Sequence, residues 1–277
     1  MSRGGVMEFT NIFVVFDPVR EKQPALERAM VMAQQEMSVN LHVFACIYSD
    51  IPKSAGKPGE VKELIACQKE ALNAIVAPLV DQGVQVTTEV EWDKDWYHAV
   101  VRASVKNSAD VVLKSSYKHT ASQRILNRTS DWTLIRECLC PVMLVKEDTQ
   151  QDVRKVLAAI DIRTEKDSGE NLNQRIIDFS QKLLDRQHAE VHFVNAHKDL
   201  SSSPDRNALI RSCGVESDKI HIKRGQPEDV IVAKAKKLGA NLVVVGTSAR
   251  SGFSALVNGN TVEKVLDRLE CDILSMP

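Results

Sequence analysis

Residues 11–18, NIFVVFDP, and residues 155–162, KVLAAIDI, are two apolar runs that end at an aspartate, Asp17 and Asp161 respectively. Each run has the length and composition of a buried β-strand. Three further segments recur in the same order in both halves: NLHVFACI (40–47) with EVHFVNAH (190–197), ADVVLKSS (109–116) with NLVVVGTS (241–248), and CPVMLV (140–145) with CDILSM (271–276). The spacing between paired segments drifts only by loop-sized insertions, so the sequence indicates an internal duplication.

Amphipathic patterns of helical period separate these strands. They cover residues 24–37, 61–80, 97–105 and 132–138 in the first half, and residues 172–184, 227–238 and 261–269 in the second. Alternating apolar strands and amphipathic helices predict a parallel sheet covered on both faces. The predicted fold class is therefore α/β, with two tandem five-stranded, Rossmann-like domains packed as a pseudo-dimer. The polar stretch at 147–152 predicts the boundary between a domain 1–148 and a domain 149–277.

Composition excludes several classes of protein. The chain has 277 residues, 43% of them hydrophobic, and a formal net charge of −1, which argues against a dedicated nucleic-acid binder. No apolar run reaches the roughly 18 residues of a membrane span, and the N-terminal residues have no signal-peptide core, so we expect a cytoplasmic protein. The six cysteines are scattered, which predicts no disulfide framework.

The segment GTSARSGFSALVNGNT, residues 246–261, follows the fourth strand of the second half. Gly246 lets the chain leave the strand without a Cβ near a ligand, and Gly259 does the same before a helix. Asn260 and Thr261 stand where a helix N-cap belongs, and the free N–H groups of that helix start would face an anion such as a phosphate. The alternative is a glycine-bearing loop that closes on a capped helix without a ligand.

The first half departs from this pattern. Lys114 is predicted at the position of Gly246, and Arg128 at the position of Gly259. A long side chain there would occupy the space that a phosphate needs. We therefore expect a degenerate site in the first domain, where these cations form salt bridges or hold a different anion.

The 246–261 loop resembles the G-x2-G-x9-G-[ST] signature of ATP-binding members of the universal stress protein family. Gly246 matches its first glycine and Gly259 its third. Ala249 stands where the second glycine is expected, Asn260 stands where Ser or Thr is expected, and Thr261 follows one residue late. The tandem arrangement, with the segments GNT (259–261) and SDW (130–132), resembles the E-type members of the family.

This resemblance implies a sheet order of 3-2-1-4-5 in each half, the arrangement of the adenine-nucleotide α-hydrolase-like folds. It also implies adenine beside the first two strands, including the backbone of Phe193, and phosphates along the loop. The implied cofactor is ATP or a related adenine nucleotide, with or without Mg²⁺. The implied cofactor-binding residues are Ala159, Asp161, Phe193, Gly246, Ala249, Gly259, Asn260 and Thr261.

The predicted function is a stress-response protein that binds an adenine nucleotide in its second domain and acts in regulation rather than catalysis. No catalytic residue and no resident metal ion are assigned, and His42 and His192, which recur at one strand position, are interpreted as structural. Two alternatives stay open: a weak Mg²⁺-dependent ATPase that uses Asp161, and an interaction scaffold that binds no nucleotide. The predicted partners are the nucleotide, unidentified proteins and a second copy of the chain, but no membrane.

Overall fold

The computed structural model describes residues 9–35, 38–48, 58–117, 131–147, 155–161, 167–187, 189–197, 203–247, 261–266 and 268–277. The chain divides into two compact units, residues 1–147 and residues 148–277. Each unit is an α/β domain with a parallel sheet, so the predicted fold class is confirmed.

Unit 1 alternates strands and helices throughout its described residues. Its elements are β1 (Asn11–Phe16), α1 (Pro24–Gln35), β2 (Asn40–Ile47), α2 (Pro58–Asp81), β3 (Gln85–Trp92), α3 (Trp96–Lys106), β4 (Val111–Ser116), α4 (residues 131–137) and β5 (Val142–Lys146). The strands pair in parallel in the order β3-β2-β1-β4-β5.

Unit 2 repeats the same succession of elements. They are β6 (Lys155–Ala159), α5 (Asp167–Gln187), β7 (Glu190–His197), α6 (Arg206–Cys213), β8 (Ile220–Arg224), α7 (Pro227–Leu238), β9 (Leu242–Gly246), α8 (Thr261–Leu266) and β10 (Asp272–Met276). Their parallel pairing gives the order β8-β7-β6-β9-β10. Each unit therefore shows the order 3-2-1-4-5 that the resemblance implies.

The central strands form the core of each unit. In unit 1, Phe13, Val14 and Phe44 are fully buried, and in unit 2 Leu157 and Val244 are equally inaccessible. These strands are apolar on both faces because helices cover both sides of a parallel sheet. The apolar runs that identified the duplication are thus the buried strands themselves.

The sequence analysis gave no bounds for helix α6. The Asp205 side chain accepts a hydrogen bond from the backbone N–H of Asn207, and Gly214 ends the helix in the left-handed conformation. Both are standard helix-boundary signals. They went unnoticed because the helix has only eight residues and two of its first four positions are polar.

Among the described residues, no helix combines the length and apolar character needed to cross a membrane.

Candidate functional site

The carboxyl ends of β6 and β9 meet at one edge of the unit 2 sheet. The two strands are neighbours, with Val156 opposite Leu242 and Ala158 opposite Val244. Strand order reverses at β6, because β7 lies on its other side. In doubly wound sheets this reversal opens a crevice beyond the strand ends, where ligands bind. Ala159 ends β6 and Gly246 ends β9, so the structure brings both predicted residues to this crevice.

Asp161 lies just beyond β6 at the same edge, with an exposed side chain. Its backbone is fixed by the side chain of Asn173 in α5. The Asp161 N–H donates to Asn173 Oδ1 at 3.0 Å, and Asn173 Nδ2 donates to the Asp161 carbonyl at 2.5 Å. One amide group therefore satisfies both backbone polar groups of Asp161, as a neighbouring strand would.

A second asparagine fixes the residue before Asp161. Asn195 of β7 is 2% exposed, and its Nδ2 donates to the carbonyl of Ile160 at 3.0 Å. The Ile160 N–H donates to the carbonyl of Val194, also at 3.0 Å. The chain that leads from β6 to Asp161 is thus held by β7 as far as Ile160 and by α5 beyond it.

Gly246 is required by packing within unit 2. A Cβ at this position would come within 2.7 Å of Leu172 Cδ2 and within 3.1 Å of Ile176 Cδ1. Both neighbours belong to α5, so a side chain here would force this helix away from the end of β9. The glycine predicted from a ligand's needs therefore has a structural reason that the sequence did not reveal.

Phe193 does not reach the edge of the sheet. It is 1% exposed and lies inside the sheet, opposite Ala158 on one side and Ile220 on the other. The later β7 residues, from Asn195 onward, are the ones beside the crevice. Thr261 begins α8, while the predicted residues Ala249, Gly259 and Asn260 lie outside the described part of the chain.

Strand register corrects the predicted correspondence between Lys114 and Gly246. Ile12 lies five residues before Asp17 and opposite Val111. Val156 lies five residues before Asp161 and opposite Leu242. Counting along the two strands from these partners places Ser115, not Lys114, at the position of Gly246. The next strand agrees, because Ser115 lies opposite Val145 as Gly246 lies opposite Met276. The strand ends ADVVLKSS and NLVVVGTS look alike in either register, so sequence similarity alone misplaced them by one residue.

Ser115 confirms this equivalence through its contacts. Its hydroxyl accepts a hydrogen bond from the Ala25 N–H in the first turn of α1 at 3.0 Å. Gly246 likewise lies against the first helix of its own unit. The position near the end of the fourth strand thus contacts the first helix in both units, through a hydroxyl in one and through close packing in the other.

Lys114 is engaged in unit 1 at the crevice edge. Its Nζ lies 2.7 Å from Asp131 Oδ1 in the first described turn of α4, and both side chains are largely buried, with 16% and 13% exposure. The same ammonium lies 5.6 Å from the ring centroid of Trp96, a cation–π distance. The predicted salt bridge of Lys114 is therefore present, whereas Arg128 lies outside the described residues.

The first aspartate of unit 1 is held in the same way as Asp161. The Asp17 N–H donates to Gln23 Oε1 at 3.1 Å, and Gln23 Nε2 donates to the Asp17 carbonyl at 2.7 Å. The Asp17 carboxylate additionally accepts from the Val19 N–H within its own turn, at 3.1 Å. The backbone clamp is therefore common to both units.

The two recurrent histidines form hydrogen bonds with neighbouring polar side chains of their sheets. His42 bonds Thr87 at 2.8 Å and Glu89 at 3.1 Å, whereas His192 bonds His221 at 3.0 Å and Glu190 at 3.0 Å. Burial lowers the pKa of His42 and of His192. Within the ranges that the structure describes, no group of three or more His, Cys, Asp and Glu side chains has the arrangement of a metal site.

These features define a duplicated, doubly wound α/β protein in which strand order reverses at the first strand of each unit. The model of the universal stress protein family matches residues 8–146 and 211–277. The chain belongs to the universal stress protein family, as the loop signature and the repeat predicted.

Two similar proteins match this chain over nearly its whole length. The chain is 28% identical to Universal stress protein E of Escherichia coli K12, over 96% of this chain and 93% of that protein. It is 26% identical to the Universal stress protein E homolog of Haemophilus influenzae, over 98% of each chain. Nearly the whole chain is therefore similar to E-type members of the family.

Solved structures support the fold over the same length. A protein of unknown function from Pseudomonas aeruginosa superposes with a TM-score of 0.75 at 26% identity, covering 98% of this chain and 93% of that one. A universal stress protein from Archaeoglobus fulgidus gives a TM-score of 0.77 at 16% identity, with coverage of 98% and 97%. The latter likeness concerns the fold alone.

Proposed function

We propose that this protein is a regulatory stress-response protein that binds an adenine nucleotide, ATP in the first instance, at the carboxyl edge of unit 2. The observation that carries the proposal is Asp161, an exposed carboxylate held by its backbone at the crevice between β6 and β9. A carboxylate accepts hydrogen bonds and repels anions. It therefore suits the hydroxyl and amino donors of a nucleoside rather than the phosphates.

The phosphates would lie further along the crevice, toward Gly246 and the start of α8 at Thr261. The residues between them supply the remaining proposed contacts, Ala249, Gly259 and Asn260, through backbone N–H groups. Phe193 would contribute as the buried floor behind the strand ends. Any Mg²⁺ would enter bound to the phosphates, as this ion usually does, rather than through a protein cage.

Unit 1 is proposed not to bind the nucleotide. The Asp131 carboxylate lies in the described first turn of α4, where an incoming phosphate would meet a negative charge. The ammonium of Lys114 is already paired with this carboxylate, so it offers little attraction to a phosphate. We therefore expect one nucleotide for each chain.

Isothermal titration of ATP, with and without Mg²⁺, tests the proposal. We expect micromolar binding with a stoichiometry of one and a loss of affinity of at least about tenfold in Asp161→Asn, since one hydrogen bond to a charged group is removed. The matched control is Asp17→Asn in unit 1, which should leave the affinity unchanged. Absence of binding in the wild-type protein, confirmed by an unchanged melting temperature with ATP, would replace the proposal with the scaffold alternative.

A further inference from the structure

We infer that Asn173 is a positioning residue for the nucleoside end of the proposed site. The inference rests on the proposed nucleotide-binding function and assigns a role to a residue outside the 246–261 loop. Asn173 lies in α5, twelve residues after Asp161, and bonds both backbone polar groups of that aspartate.

The backbone at Asp161 needs such a partner because the sheet ends there. Hydrogen bonding to β7 reaches the Ile160 N–H, which donates to Val194. Strand β6 and its pairing with β7 end at Ala159, so the described residue Asp161 lies past the end of the strand. The Asn173 amide takes the place of a neighbouring strand, and so sets the direction in which the Asp161 carboxylate leaves the backbone.

Three elements converge on this turn. Strand β6 delivers the chain, β7 holds Ile160 through Asn195, and α5 holds Asp161 through Asn173. The buried position of Asn195 makes its hydrogen bond part of the sheet's interior. Asn173 is half-buried and lies next to the crevice, so its contact is the one that a ligand would sense.

The same device in unit 1 provides a control that the chain itself supplies. Gln23 clamps Asp17 with the same two hydrogen bonds, in the unit proposed to bind no nucleotide. If the clamp were merely structural, its loss would lower the stability of both units equally. A positioning clamp would influence ligand affinity only in unit 2.

The test compares Asn173→Leu with Gln23→Leu, since leucine is close in volume to either residue and makes no hydrogen bond. The dissociation constants of ATP and AMP are measured for each variant and for the wild-type protein. In Asn173→Leu we expect both affinities to fall by about tenfold. Their ratio should stay unchanged, because the phosphate contacts are untouched. Gln23→Leu should leave both values as in the wild-type protein.

Each other outcome has a distinct meaning. Unchanged affinities in Asn173→Leu, or a changed ATP-to-AMP ratio, would overturn the positioning role while leaving nucleotide binding in place. A tenfold loss in Gln23→Leu would show that the clamp serves general stability and would also overturn it. No binding of either nucleotide by the wild-type protein would overturn the proposed function and this inference together.

Discussion

Lys114 of β4 and Asp131 of α4 form an ion pair with an N–O distance of 2.7 Å. The pair lies at the edge of unit 1 that corresponds to the edge of unit 2 proposed to bind the nucleotide. Strand register matches Lys114 to Val245, which is 3% exposed. Unit 1 therefore carries a lysine where unit 2 carries a buried valine. The carboxylate of Asp131 keeps that cation paired.

Removing one member of this pair should destabilise unit 1. Asp131→Ala leaves the ammonium of Lys114 largely buried without its anionic partner, and we expect a loss of about 2–3 kcal/mol in the free energy of unfolding. The double variant Lys114→Met with Asp131→Ala should recover part of this loss, because no unpaired charge remains. Calorimetric unfolding of the three proteins measures the difference. Equal destabilisation of the single and double variants would contradict the ion-pair interpretation.

Gly246→Ala should destabilise unit 2, since its Cβ would overlap Leu172 at 2.7 Å. We expect a cost of about 1–3 kcal/mol, typical of an overpacked site. Adding Leu172→Ala should relieve the overlap. Alanine at position 246 should therefore lower the free energy of unfolding less in the Leu172→Ala background than in the wild-type background. The measurement is the unfolding free energy of the four proteins of this cycle. If the effects of the two substitutions on the unfolding free energy simply add, the strain does not come from the contact with Leu172.

The aspartates that end the first strands could be predicted because the preceding strands are apolar throughout, a pattern that local sequence carries. The Asn173 clamp could not be predicted, because it joins a helix to a strand end and the number of residues between the two partners is not fixed. Its counterpart Gln23 lies six residues after Asp17, whereas Asn173 lies twelve after Asp161. Equivalence of the two amides depends on where each helix packs, which only the folded units determine.

The misplacement of Lys114 has the same origin. VVLKSS and LVVVGTS match in either of two registers, since each begins with a run of only valine and leucine. Pairing with the neighbouring strands selects one register, and a shift of one residue moves a side chain to the other face of a sheet. Lys114 therefore faces Asp131, while Ser115 reaches α1.

Thiol reactivity should distinguish Cys67 from the other five cysteines. None of the six forms a disulfide, and Cys67 on α2 is exposed. Burial raises the pKa of Cys138 and Cys213 to about 12, so almost no reactive thiolate exists there at pH 8. A chromogenic disulfide reagent should titrate one thiol rapidly in the native protein and six in denaturant. Cys67→Ser should abolish the rapid phase; a rapid phase that survives would show that one of the buried or half-buried thiols also reacts.

Acid should weaken unit 2 through His221. Burial lowers the pKa of His221 to about 4, and nearby charged groups add to this effect: Lys234 of α7, His192 of β7, Arg206 of α6 and Lys223 of β8. The unfolded chain binds a proton near pH 6.5, so between pH 6.5 and 4 it holds a proton that the folded unit lacks. Stability is therefore complete above pH 6.5 and decreases as the pH falls toward 4.

The size of the acid effect follows from the pKa shift of His221. Because His221 is only partly buried, the effect is reduced, and we expect a loss of about 1–2 kcal/mol in the free energy of unfolding. His221→Gln should flatten the dependence, since glutamine keeps a donor for His192 Nδ1 but binds no proton. The matched control is His98→Gln, which replaces an exposed histidine beside Glu137 and should leave the slope intact. Melting temperatures at pH 7, 5.5 and 4.5 provide the comparison. An unchanged slope in His221→Gln would assign the acid sensitivity to another group.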